Sequence, residues 1–157
     1  MAALFLCLFG RLFKYFTYMD MIDWQLKDCN ALTVDELYTV MQLRQAIFIV
    51  EQNCVYLDAD GIDLQSLHLC GWQGDYLAAY CRLLPPGLAY AEASIGRVLT
   101  ASGHRGTGLG KLLMQEAISR VQKNFITKSI RISAQYYLLE FYRQLGFQSM
   151  GEVYMED

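Results

Sequence analysis

Ser102-Gly-His-Arg105-Gly-Thr-Gly108-Leu-Gly110-Lys-Leu112 is the stretch on which the reading of this chain turns. Ahead of it, Ala93–Thr100 is rich in small and β-branched residues and reads as a strand. After it, Leu109, Leu112, Leu113, Ala117 and Val121 fall on one face of a helix running from Leu109 to Asn124. A strand, a glycine-rich turn and a helix start together make an anion site. Main-chain N–H groups without acceptors converge there with the positive end of the helix dipole, and glycines let a diphosphate approach the backbone. A Walker A loop fails, because Arg105 stands where its first glycine belongs and Leu112 where its Ser or Thr belongs. A dinucleotide fingerprint also fails: started at Gly106 its last glycine is Lys111, and started at Gly108 it is Leu113. The competing reading is a glycine-rich connection with no ligand.

Working outward, His68–Trp72 and Tyr76–Leu84 flank Gly74-Asp75 and read as an antiparallel hairpin that Pro85-Pro86-Gly87 ends. Asn53–Gln65 is an acidic loop. Thr33 and Glu36 have capping-box spacing and open one or two helices reaching Glu51, after a short strand at Asp23–Leu26. Downstream, Ile130–Ser133 reads as a strand and Tyr137–Leu145 as a helix stopped by Gly146. Phe147–Tyr154 reads as a last strand. This order is α/β with a mixed sheet.

The chain of 157 residues fits one domain, and 54% hydrophobic against 18% charged residues excludes intrinsic disorder. A net charge of −3 gives no general reason to bind nucleic acid, whose affinity rests on Lys and Arg neutralising phosphates. Cys7, Cys29, Cys54, Cys70 and Cys81 are odd in number and lack a CxxC pair, which speaks against a metal site or a disulfide framework. They read as reduced thiols of a cytoplasmic protein. Residues 1–20 form an apolar leader apart from a domain at 21–157. The run is too short to span a membrane, and its cations follow rather than precede the apolar stretch. It is either an interfacial segment or sequence upstream of the natural start, and the second reading is preferred.

Arg105-Gly-Thr-Gly108-Leu-Gly110 resembles the Arg/Gln-x-x-Gly-x-Gly/Ala signature of the GNAT acyltransferases, in the strand-to-helix position which that family requires. Phe141-Tyr142-Arg-Gln-Leu-Gly146-Phe147 resembles its second signature. Leu43-Arg44, Phe48-Ile-Val-Glu51-Gln52, Cys54-Val-Tyr56, Asp58, Asp60, Asp63 and His68-Leu69 are similar to the ElaA group of the family. The resemblance covers residues 21–157. It implies a mixed, mostly antiparallel sheet flanked by helices, with central parallel strands splayed around acetyl-CoA. The family's last strand is expected to be missing after Asp157.

The resemblance also implies roles. Backbone N–H groups of Arg105, Gly106, Thr107, Gly108, Leu109, Gly110 and Lys111 would hold the pyrophosphate. The edge of Val98, Leu99 and Thr100 would pair with the pantetheine arm, Gln135 would touch that arm, and Tyr142 would protonate the departing thiolate. Glu92 and Glu51 are the candidate general bases, with a water relay lacking any single base as the alternative. His68 is either substrate-facing or a satisfied core residue. Asp58, Asp60 and Asp63 lack EF-hand order and are expected to attract a cationic amine. The expected activity is N-acetyl transfer from acetyl-CoA, with no metal, to a primary amine of a small molecule or peptide by direct attack. The alternative is a catalytically degenerate acyl-CoA-binding protein. A homodimer fits either reading.

Overall fold

The period-two stretches form strands, and they lie in the sheet in the order in which they occur along the chain. β1 (Asp23–Asp28), β2 (Leu67–Gln73), β3 (Tyr76–Leu84) and β4 (Ala93–Thr100) pair antiparallel in succession, and β5 (Ile130–Arg131) runs parallel to β4. A computed structural model describes residues 21–150. The leader and the 151–154 part of the expected last strand lie outside them.

The expected hairpin forms with Gln73 opposite Tyr76, so Gly74-Asp75 is its two-residue turn, Gly74 having φ +58°. Helix α1 (Val34–Arg44) begins with the capping box. The Glu36 N–H donates to Thr33 Oγ1 at 3.2 Å, and the Thr33 N–H donates to Glu36 Oε2 at 2.9 Å. Lys27 of β1 donates to the other Glu36 oxygen at 2.6 Å and ties the helix to the sheet. The chain continues from α1 as a π-helix over Gln45–Glu51. Helix α2 (Leu109–Phe125) buries Leu109, Leu113, Ala117 and Val121 of the face its spacing predicts, with Met114 buried as well and Leu112 only half-buried. It also supplies the crossover that parallel strands need.

The sheet separates two apolar clusters. Ala79, Cys81, Leu83 and Ile95 face α2, whereas Cys70, Leu77, Tyr80 and Leu99 pack with Val40 and Ile47 of the first helical segment. Burial of each large aliphatic side chain contributes about 1.5–3 kcal/mol, so both helices are anchored through the sheet.

Three expectations shift. β5 stops at Arg131 rather than Ser133, because its partner β4 parts from it after the Ser94–Arg131 pair and leaves no ladder to join. The expected helix at Tyr137–Leu145 is a 3₁₀ turn (Tyr136–Leu138) followed by α3 (Leu139–Arg143). Residues 147–150 of the expected last strand are irregular. Gly146 does stop the helix: at φ +92° it turns the chain so that the Phe147 N–H returns to the Tyr142 carbonyl at 3.1 Å.

Candidate active site

β4 and β5 pair only at Ala93–Ile130 and Ser94–Arg131. From there to Thr100 the edge of β4 that would face β5 has no strand beside it among the described residues. The two parallel strands therefore splay, and the splay opens toward the glycine loop that follows Thr100. Within the loop, Gly106 (φ +73°) and Gly108 (φ +88°) hold left-handed conformations that side-chain-bearing residues resist, and beyond the adjoining residues no described heavy atom lies within 4 Å of where a Cβ would stand on either. Gly108 is the N-cap of α2, and its carbonyl accepts from the Lys111 and Leu112 N–H groups at 3.1 and 3.3 Å. The Arg105 N–H is taken by the Ser102 carbonyl at 3.4 Å, so neither it nor that of Lys111 is open as expected, and the N–H groups of Leu109 and Gly110 are those that a helix start leaves for an outside acceptor. Behind the loop, the position of a Cβ on Gly110 is 3.9 Å from Thr100 Cγ2 and 4.0 Å from Phe141 Cζ, so α2, β4 and α3 meet there.

Tyr142, next to Phe141 on α3, is packed edge-on against Phe141 and Phe147 at ring distances of 5.1 and 5.9 Å. It is 8% exposed, and burial raises its phenol to about 12, so it keeps its proton at neutral pH. No described residue hydrogen-bonds its hydroxyl.

The family profile for the acetyltransferase (GNAT) domain matches residues 66–157, which carry the loop, the splay and Tyr142. The ElaA protein of Escherichia coli is 40% identical over 139 residues, 87% of this chain and 91% of that protein. The chain belongs to the GNAT acetyltransferase family. The crystal structure of Escherichia coli ElaA superposes with a TM-score of 0.83 at 40% identity, covering 87% of this chain and 94% of that one. An acyl-CoA N-acyltransferase from Pseudomonas aeruginosa, also 40% identical, gives 0.81 over 85% and 93%. A UPF0039 protein of Synechocystis is 41% identical over 85% of this chain and 87% of its own length. Acyl transfer is the chemistry of this family, and this GNAT chain is of the ElaA group.

The two candidate bases sit in different surroundings. Glu51, exposed at the end of the π-helix, takes hydrogen bonds from Arg105 at 2.6 and 3.0 Å, which hold its carboxyl below the usual range. Glu92 stands just before β4, where β4 and β5 join. Its Oε2 is buried without a hydrogen bond among the described residues, and the Arg131 guanidinium lies 4.0 Å away. Gln135 is exposed at the N-cap of the 3₁₀ turn, and Val98, Leu99 and Thr100 lie on the open stretch of β4. Lys111 is exposed in the first turn of α2.

The acidic loop does not present a free negative face. Asp58 and Asp63 are buried (4% and 9% exposed), and Arg44, fully buried, donates to Asp58 Oδ2 at 2.9 Å and to Asp63 Oδ1 at 2.6 Å. Arg82 reaches Asp60 and Asp63, and Arg97 reaches Asp58 and Asp60. Three guanidinium groups thus neutralise three carboxylates, which overturns the expectation that these aspartates attract a cationic amine. Asp60 is lowered to about 2, chiefly by its hydrogen bond to Arg82. Burial pushes Asp63 up, but Arg44 and Arg82 outweigh it and leave it below its ordinary value.

His68 is a satisfied core residue. Its Nε2 lies 3.0 Å from the Asp63 carbonyl, which can only accept, so Nε2 carries the hydrogen and Nδ1 accepts from the Tyr80 hydroxyl at 2.8 Å. Burial keeps the ring neutral.

The arginine side of this network escaped the sequence reading, although Arg82 was a visible signal: one cation inside Tyr76–Leu84, eight of whose nine residues are buried, demands a buried partner. Also missed was a link between loop and hairpin. The His104 ring stacks on Tyr76 at 5.4 Å, its Nε2 meets Gln73 Oε1 at 2.9 Å, and its carbonyl accepts from Thr107 Oγ1 at 2.6 Å.

Proposed function

We propose that this protein is an N-acetyltransferase, moving the acetyl group of acetyl-CoA to a primary amine of a small molecule or peptide by direct attack within a ternary complex. The observation that carries the reading is the continuity of the open β4 edge with the start of α2: a ligand with an extended arm and a diphosphate needs both, end to end. The residues present fit such a ligand. Space lies over Gly106 and Gly108 where side chains would otherwise stand, and the main-chain N–H groups from Gly106 to Gly110, between the bonded ones of Arg105 and Lys111, would take the diphosphate. Val98, Leu99 and Thr100 would pair with the arm as a neighbouring strand does, with Gln135 beside it. Acetyl-CoA supplies an activated acyl thioester.

The chain's own groups do the rest. Tyr142, held protonated by burial, donates to the leaving sulfur as negative charge develops there. Of the two glutamates, Glu92 is the better base, since Arg131 stands 4.0 Å from its Oε2 without a hydrogen bond, whereas Arg105 hydrogen-bonds both Glu51 oxygens and stabilises its ionised form more strongly. Arg105 in turn brings a cation to the loop, countering the charge of the diphosphate.

The test is thiol release from acetyl-CoA in the presence of a panel of primary amines, alongside melting with and without acetyl-CoA. At about 100 times its dissociation constant the ligand stabilises by about 2.7 kcal/mol, a visible shift. A shift without thiol release from any amine supports the degenerate coenzyme-binding alternative. No shift removes both readings.

A further inference from the structure

We infer that Arg97 is a positioning residue for the acyl end of the site: anchored by the Asp58 carboxylate, it holds a left-handed bulge in β4 that keeps main-chain groups available at the open edge. The inference rests on the coenzyme reading of the site above. In the ladder between β3 and β4, Arg82 opposes Gly96 and Tyr80 opposes Leu99, so Arg97 and Val98 together face Cys81 alone. This extra residue is a β-bulge, which takes main-chain groups out of the ladder and bends the strand. It lies in the stretch that β5 has left, between the Ser94–Arg131 pair and Thr100. An arm running back from the glycine loop along β4 meets the bulge before it reaches the point where the strands close.

The bulge is not made with glycine. Arg97 has φ +54°, a conformation that costs any residue with a Cβ free energy, and something must hold it there. The side chain does so. Its Nε donates to Asp58 Oδ1 at 2.7 Å, and its Nη2 lies 3.3 Å from the Asp58 carbonyl and 3.2 Å from Asp60 Oδ2. The Tyr56 ring lies 5.5 Å below the guanidinium, and the Tyr56 hydroxyl donates to Asp58 Oδ1 at 3.2 Å. Asp58 is itself fixed from the other side by Arg44 of α1, through both its carboxylate and its carbonyl. The acidic loop is therefore a strut. It runs from a buried arginine in the first helix to the one strained residue of the strand that bounds the opening.

Replacing Arg97 by Gly, Ala and Val separates this role from plain stability. All three variants lose the anchor equally, but Gly adopts φ +54° freely, Ala at a cost and Val at a greater one. Calorimetric titration of the full chain uses two probes: acetyl-CoA, and 3′-phosphoadenosine 5′-diphosphate, which has the diphosphate but no arm. The expected result is unchanged affinity for the diphosphate probe in all variants. For acetyl-CoA, Gly stays close to wild type, Ala weakens roughly tenfold and Val weakens further. Asp58→Asn, which keeps the size of the side chain and removes its charge, weakens acetyl-CoA but not the diphosphate probe. Equal affinity of wild type and all variants for acetyl-CoA overturns the inference and leaves the coenzyme site standing, as does a Gly variant as weak as Val. If wild type binds neither probe, the coenzyme reading falls, and the inference with it.

Discussion

Arg44→Met removes the guanidinium at the centre of the acidic strut and leaves its neighbours in place. Arg44 is fully buried, and its head group meets the carboxylates of Asp58 and Asp63 and the Asp58 carbonyl. Breaking a buried pair by deleting one partner costs about 3–5 kcal/mol, because a charge stays behind without compensation. Here neither carboxylate is left alone: Asp58 keeps Arg97 at 2.7 Å and Asp63 keeps Arg82 at 2.9 Å. The loss therefore falls at the low end, about 3 kcal/mol, or roughly 10 °C in melting temperature for a domain of this size. Urea unfolding followed by far-ultraviolet circular dichroism measures it, with Arg120→Met as the control. Arg120 forms a half-buried ion pair with Glu116, four residues before it on α2, at 2.7 Å, and its loss costs about 0.5 kcal/mol. Adding Asp63→Asn to Arg44→Met costs less than Asp63→Asn alone, since the two residues share one network. Should Arg44→Met destabilise no more than the Arg120 control, the strut is not what fastens the loop to the sheet.

Gly108→Val places a β-branched residue at φ +88° and fills the space over the loop, so acetyl-CoA no longer shifts the melting temperature, and an equal shift in the variant would refute the loop's role. Tyr142→Phe lowers turnover about 10²-fold at saturating acetyl-CoA and leaves its affinity unchanged, whereas an unaltered rate would make Tyr142 a packing residue only. Glu51→Gln releases Arg105 and tightens acetyl-CoA, and a weaker complex by calorimetry would show that the pair orders the loop instead. Stability declines with acid in two stages. His68 has a folded pKa below its ordinary 6.5, so the unfolded chain takes up the proton first and stability begins to fall as pH drops through 6.5. Asp60 and Asp63 have depressed folded values, so their contribution is present above their ordinary 3.8 and is lost as pH falls toward the value of about 2 for Asp60. Urea midpoints at pH 7, 5 and 3 check this, and equal midpoints at pH 5 and 3 would contradict the second stage.

The local features of this protein were legible in its sequence because neighbours in the chain decide them. The Thr33–Glu36 capping box, the Gly74-Asp75 hairpin turn, the buried stripe of α2 and the Gly146 stop all form where the residues predict. The strand–glycine–helix order at Ala93–Phe125 likewise pointed to the family and to the site proposed here. What needed tertiary structure was every feature whose partner lies far away in sequence. Asp58 and Arg97 are 39 residues apart, Asp60 and Arg82 are 22 apart, and Arg105 and Glu51 are 54 apart. Read alone, three aspartates in a loop suggest a negative surface, since composition carries no record of which cations fold against them. The bulge at Arg97 is hidden for the same reason. No local signal asks a non-glycine residue to adopt φ +54°; a distant carboxylate, held in place by a buried arginine of another element, selects that conformation.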